Sequence, residues 1–346
     1  MGARIGEFRA YAHLWGTAEL RDIFDEQAVY QRWLDVLVAL AQAQAELEII
    51  PGDAAKTIAA YAKTDRLDLD RVAEGTRRTN HSTLGLIHEL ERVLPDDAHG
   101  WVYYGATAQD LTDTATAVSL REVSALLWRD LRGMEQEALR LAATYRDTAM
   151  VGRTHGQPGA PITFGWKAAG WADEVRRQLH RLREGAPRWL AGQLGGAVGN
   201  LGFFGDRGPE LRARFCERLG LVDPEISWTS SRDRFAEFGS LLALITGTVA
   251  RVGNEIFQLQ RAELGELREA VDDETVSSIT MPHKRNPETA EHLVTLSRLV
   301  RANASVVMEG MVAEHERDGR GWKAEWIALP EACLLAGTAV SLGRQM

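Results

Sequence analysis

The stretch Phe238-Gly239-Ser240-Leu241-Leu242-Ala243-Leu244-Ile245-Thr246-Gly247-Thr248-Val249-Ala250-Arg251-Val252-Gly253-Asn254-Glu255-Ile256-Phe257-Gln258-Leu259 decides the fold. Phe238, Leu241, Leu242, Ile245, Val249, Val252, Ile256 and Leu259 recur at steps of three and four, the period of one helix face. No proline interrupts them. Prolines are also missing between Pro95 and Pro158, between Pro224 and Pro282, and between Pro287 and Pro330. A proline inside a helix costs about 3 kcal/mol, so these spans are the natural places for long helices. Trp33, Leu37, Leu40 and Leu47 keep the same period until Pro51-Gly52 stops it. Sustained period-two alternation is absent. The sequence therefore predicts an all-α fold with long helices near 115–148, 160–186, 232–267 and 288–313.

Helices of that length suggest an elongated bundle. Their apolar stripes are wide, and one bundle per subunit leaves part of them uncovered, so a homo-oligomer is expected. Residues 1–105 read as an N-terminal helical domain and 106–346 as a central long-helix bundle. The helical pattern from Leu334 to Leu342 reaches Gly343-Arg344-Gln345-Met346 with no stop signal, so a C-terminal domain is expected to be incomplete or missing.

The bulk numbers narrow the class. The chain has 346 residues, 45% hydrophobic and 26% charged, with a formal net charge of -9. That balance is ordinary for a globular protein. The negative charge argues against a nucleic-acid partner and against an anionic membrane surface. Cys216 and Cys333 lie in helix-like apolar contexts with no metal-ligand spacing, so neither a metal nor a disulfide framework is expected. The opening Met-Gly-Ala-Arg-Ile-Gly-Glu has no apolar core of a secretory signal. No run approaches the roughly 20 apolar residues of a membrane span. The expectation is a soluble, cytoplasmic protein. The segment Gly192-Gln193-Leu194-Gly195-Gly196-Ala197-Val198-Gly199-Asn200 lacks both the preceding apolar strand and the Lys-Ser/Thr ending of a phosphate loop, and reads as a backbone turn.

Three polar clusters interrupt the helical text, where loops can carry sites. The first is Thr79-Asn80-His81-Ser82 with Gly105-Ala106-Thr107-Ala108-Gln109-Asp110-Leu111-Thr112-Asp113-Thr114. Small hydroxyls beside loop N–H groups suit a carboxylate, but Thr112 and Asp113 before an apolar run also read as helix N-caps. The second is Gly152-Arg153-Thr154-His155-Gly156-Gln157-Pro158, a turn entering a helix. His155 either exchanges a proton near neutral pH or is satisfied inside a buried turn. The third is Ser277-Ser278-Ile279-Thr280-Met281-Pro282-His283-Lys284-Arg285-Asn286-Pro287. Its cations suit a dianion or charge developing on a carboxylate, though a basic, solvated loop reads the same way. Serine is a poor base unless its oxyanion is stabilised, and residue chemistry alone does not single out Ser278.

Together the clusters resemble the three signature regions of the fumarase/aspartase superfamily, over nearly the whole chain from about Trp15. The third resembles Gly-Ser-Ser-x-Met-Pro-x-Lys-x-Asn-Pro; the others resemble His-x-Gly-x-Thr-Ser-x-Asp and Thr-His-x-Gln. The resemblance implies a homotetramer whose active sites each take one region from three subunits, acting on a small dicarboxylate without a cofactor. The implied reaction is an anti-elimination across a substituted succinate, usually releasing fumarate. Ser278, six positions before Lys284, matches the base that removes the proton beside a carboxylate to give an aci-carboxylate. Lys284 and Asn286 match the groups that hold that carboxylate. Thr107 matches a carboxylate-binding hydroxyl, Thr154 and Gln157 fit the second region, and His155 matches the general acid of adenylosuccinate lyases.

The sequence departs from the pattern at Ser277, Ile279, Tyr103 and Ala108, where the family has glycine, serine, histidine and serine. Leu14-Trp15-Gly16-Thr17-Ala18-Glu19-Leu20-Arg21, Trp228 before Arg232-Asp233-Arg234, and Trp322-Lys323-Ala324-Glu325-Trp326 resemble bacterial 3-carboxy-cis,cis-muconate cycloisomerases. Those have tryptophan in place of His155, however, whereas Thr79-Asn80-His81 resembles adenylosuccinate lyases. Of the phosphate ligands of the latter only Arg317 remains, in Glu316-Arg317-Asp318. Trp322 and Trp326 stand where a serine and an arginine would hold a phosphate, and they cannot replace those ligands. The expectation is a carbon–nitrogen lyase on a small substituted succinate, with an amine or nitrite leaving group as in nitrosuccinate lyases. The alternatives are a carboxymuconate cycloisomerase, an adenylosuccinate lyase, and a non-catalytic member resembling the lens crystallins of this superfamily.

Overall fold

The computed structural model describes residues 4–270, 276, 278–281 and 283–346. Twelve α-helices run in the order α1 (Ala12–Trp15), α2 (Ala18–Phe24), α3 (Glu26–Glu46), α4 (Gly52–Tyr61), α5 (Leu69–Thr79), α6 (Leu84–Val93), α7 (Ala108–Thr144), α8 (Phe164–Trp189), α9 (Gly208–Leu219), α10 (Asp233–Leu259), α11 (Glu288–Glu309) and α12 (Gly319–Gln345). Between α7 and α8 lies an antiparallel hairpin of β1 (Ala149–Thr154) and β2 (Gln157–Thr163). Ser277 and Pro282 of the third cluster lie outside the described residues.

The fold is mostly helical rather than all-α, and the hairpin is the main correction. Residues 160–163, expected to open a helix, pair with β1 instead. Thr163 then caps α8, its hydroxyl accepting from Trp166 N–H at 3.1 Å. Helix α7 starts seven residues before the predicted 115. Thr112 and Asp113 are therefore buried helix-interior residues, not N-caps. Thr107 holds the cap position, in a reciprocal box with Asp110.

Proline placement also proved less restrictive than expected. Helix α12 runs through Pro330, and α8 keeps Pro187 in its last turn. The 27-residue helices α10 and α12 are each long and apolar enough to cross a membrane, contrary to the sequence reading. That reading sought one unbroken apolar run, whereas here a few polar residues are averaged into each helix. In the fold both helices pack into the interior.

The periodic face quoted at the outset forms the centre of the larger core: Phe238, Leu242, Ile245 and Val249 are fully buried among α7, α8, α11 and α12. A second core gathers α3, α4 and α6 with Leu194 from the glycine-rich segment, Leu201 and Phe204 just after it, and Leu211 and Phe215 of α9. The glycine-rich segment is thus clamped beside the start of α7.

Candidate active site

The first cluster assembles around the N-terminus of α7. Arg317, just before α12, donates from Nη1 to Thr107 Oγ1 at 2.7 Å and from Nη2 to the Ala197 carbonyl at 2.9 Å and the Gly196 carbonyl at 3.3 Å. Asp110 closes the arrangement from below. Its carboxylate accepts from Thr107 N–H at 3.0 Å, Gly195 N–H at 2.8 Å and Gly196 N–H at 3.0 Å. Burial pushes the Asp110 carboxyl up to about 7, against the pull of those three N–H groups and of Arg317. Gly196 makes the turn at φ +69, where a side chain is disfavoured.

Tyr103, the departure from the family's histidine, reaches the side chains of both Thr83 and Thr107, and burial pushes its phenol upward. His81 stands next to it, Nδ1 lying 3.4 Å from Thr83 N–H and 3.5 Å from Thr83 Oγ1. His81, Tyr103, Thr107 and Arg317 therefore share one surface. Sequence reasoning named three of them, took Tyr103 only as a departure, and missed Asp110. The Thr-x-x-Asp spacing of a capping box was the available signal for Asp110.

The second cluster occupies the hairpin. Thr154 and Gln157 face one another across its end, and His155-Gly156 form the two-residue turn. Both turn residues have positive φ, 52° and 75°, which is the type I′ geometry that suits the twist of a hairpin. His155 is exposed, so it is not held inside a buried turn. Arg153 ties the hairpin to the segment after α10 through a forked pair with Glu266 at 2.7 and 2.9 Å.

That segment leads into the third cluster. Ser278 is half-buried, and its Oγ accepts from Met281 N–H at 3.1 Å. Lys284 is exposed, and its backbone N–H donates to the Met281 carbonyl at 2.9 Å. Asn286 donates from Nδ2 to Glu288 at 3.1 Å. Gln260 anchors the segment by donating to the Arg285 carbonyl at 3.2 Å and accepting from Glu269 N–H at 2.7 Å. Glu269 in turn caps α11, accepting from Ala290 N–H at 2.6 Å and Thr289 N–H at 3.3 Å. Neither anchor was foreseen, because a cap supplied from about twenty residues upstream leaves no local signal.

The clusters do not converge within one chain. The first sits at the start of α7 and the hairpin follows its end. A helix of 37 residues separates its ends by about 55 Å. The hairpin and the segment after α10 lie together at the far end, joined by Arg153 and Glu266. Trp322 is buried edge-on against exposed Trp326, ring centroids 4.7 Å apart. Both rings are on α12, the helix that follows Arg317.

This pattern of clusters on a long-helix frame has known counterparts. Residues 16–302 match the family described as Lyase. An N-acetyl-S-(2-succino)cysteine lyase of Dickeya dadantii is 42% identical over 96% of this chain and 73% of its own length. An adenylosuccinate lyase of Methanothermobacter thermautotrophicus is 41% identical over 95% of this chain and 74% of its own. The crystal structure of a fumarate lyase from Mesorhizobium sp. BNC1 superposes with a TM-score of 0.89 at 33% identity, covering 96% of this chain and 75% of that one. The chain belongs to this lyase family, within the fumarase/aspartase superfamily.

Proposed function

We propose that this chain eliminates a heteroatom group from a small 2-substituted succinate to give fumarate, and that the group leaves as the thiolate of a succinated cysteine derivative. The elimination chemistry rests on one observation above the others, the hydrogen bond from Met281 N–H to Ser278 Oγ. A donor already aimed at that oxygen stabilises the alkoxide that a serine base requires. Ser278 takes the proton from the carbon beside one carboxylate. Lys284 and Asn286 hold the aci-carboxylate that forms. The bond between the neighbouring carbon and its heteroatom then breaks, and the electron pair leaves with the heteroatom. Thr107, Thr154, Gln157 and His81 bind the substrate's carboxylates. Arg317 acts through Thr107, since its two terminal nitrogens are engaged by Thr107 and the loop carbonyls.

The leaving group is argued from chemistry and kinship. A thiol has a pKa of about 8.5 and departs as thiolate with little help, whereas an amine must receive a proton as it leaves. Two relatives named N-acetyl-S-(2-succino)cysteine lyase align over 96% of this chain, at 42% and 40% identity. The nitrogen leaving group expected from the sequence is the second reading. It is favoured by His155, exposed at the hairpin tip as a proton donor, and by the adenylosuccinate lyase relative.

The site is completed by further copies of the chain, in a homotetramer. The span of α7 supports this, as do Leu244 of α10, Leu299 and Val306 of α11 and Ile327 of α12, which are exposed on helices that pack together.

The test is a panel of N-acetyl-S-(2-succino)cysteine, aspartate, nitrosuccinate, argininosuccinate, adenylosuccinate and 3-carboxymuconate. It is followed by fumarate absorbance, thiol release and muconate absorbance. Fumarate with free thiol is the expected result. Muconate loss alone would establish the cycloisomerase. Silence on every substrate from a folded assembly would leave a non-catalytic member of the family.

A further inference from the structure

A cavity of about 300 Å³ lies between α2, α3, α7, α10 and α12, away from the hairpin and the third cluster and touching the first only through Thr112 and Asp113. Phe24, Trp33, Phe235 and Trp326 supply four aromatic walls. Its floor is ionic. Arg232, 2% exposed, donates to Asp113 at 2.6 and 3.1 Å and to Glu325 at 2.5 and 3.1 Å. One guanidinium thus serves two buried carboxylates, and the set carries one net negative charge. Burial pushes the Glu325 carboxyl upward, as that excess predicts. Arg32, also in the wall, is neutralised by Glu122 in a forked pair at 2.7 and 2.9 Å.

The remaining wall is rich in acceptors. Thr116 and Ser119 donate their hydroxyl protons to the carbonyls of Thr112 and Ala115, which leaves their oxygens to accept. Pro330 has no N–H, so the carbonyl of Trp326 one turn earlier lacks its usual helical partner, and both residues line the cavity. Thr112, 4% exposed, also lines it, and its hydroxyl has no hydrogen-bond partner among the described residues.

We infer that this cavity is a binding site for a small primary alkylammonium ion. The rings take the alkyl chain and attract the cation. The hydroxyl oxygens and the freed carbonyl accept its N–H groups, and its charge balances the Asp113–Arg232–Glu325 set. The inference does not depend on which group leaves from succinate.

The experiment is calorimetric titration of the full assembly with n-butylammonium, n-butanol and butyrate, with thermal unfolding alongside. Butylammonium should bind and raise the unfolding temperature, with butanol and butyrate at least tenfold weaker. Ser119→Ala and Thr112→Val, which leave the ion set intact, should each weaken butylammonium by about tenfold, as losing one hydrogen bond to a charged group does. Equal binding of butanol would make this only an apolar cavity. No binding of butylammonium, or binding untouched by both variants, would overturn the proposal.

Discussion

Arg317 and Thr107, 210 positions apart in sequence, are joined by a 2.7 Å hydrogen bond that fixes the start of α12 against the start of α7. The same guanidinium holds two carbonyls of the glycine-rich loop. Arg317→Ala should therefore lower kcat/KM for fumarate formation by about 10- to 100-fold, the loss expected for hydrogen bonds to a charged group. Arg317→Lys should fall between, because an ammonium cannot fork to Thr107 and the loop together. An unchanged kcat/KM in the alanine variant would remove Arg317 from the site.

Ser278→Ala should reduce turnover by about 10²- to 10⁴-fold, the usual contribution of a positioned base. Ser278 is half-buried, and its hydrogen bond to Met281 is local, so circular dichroism and assembly size should not change. Retained turnover would assign the base elsewhere.

His155→Asn separates the turn from the chemistry. Asn-Gly is the preferred pair in a type I′ turn, so thermal stability should hold or rise slightly. With the proton donor gone, turnover of amine-releasing substrates should fall by about 10²-fold or more, and that of thiol-releasing substrates much less. Equal losses on both would deny His155 the role of general acid.

Asp110 makes stability depend on pH with a definite sign. Burial raises its folded pKa to about 7, well above the ordinary carboxylate range. Between roughly pH 4 and pH 7 the fold keeps a proton that the unfolded chain has released, so its contribution to stability falls as pH rises through that window and is level above it. Asp110→Asn should flatten this part of the urea-denaturation profile. It should also lower activity, since an amide cannot accept from Thr107, Gly195 and Gly196 as a carboxylate does.

Arg232→Met leaves Asp113 and Glu325 buried without their cation. Breaking such a set costs about 3–5 kcal/mol. The urea midpoint should drop accordingly at neutral pH and recover partly in mild acid, as Glu325, whose carboxyl burial already pushes upward, takes up a proton.

The sequence by itself determined the helices and the chemistry of the clusters. Phe238 to Leu259 repeats at helical steps, and such periodicity is a property of neighbours in the chain. The serine, lysine and asparagine of the third cluster were legible for the same reason: their spacing is local. The hairpin was not legible. With three glycines and two prolines from Gly152 to Pro161, it shows no alternation, and its strands exist because they pair with each other. Nor could the sequence tell that Glu269 caps α11, or that Asp113 and Glu325 share Arg232. Only tertiary structure decided these, because each depends on groups brought together across more than twenty residues. It also set one separation that bears on function: the rigid span of α7 keeps Thr107 apart from His155, so within one chain the first cluster and the hairpin stay apart.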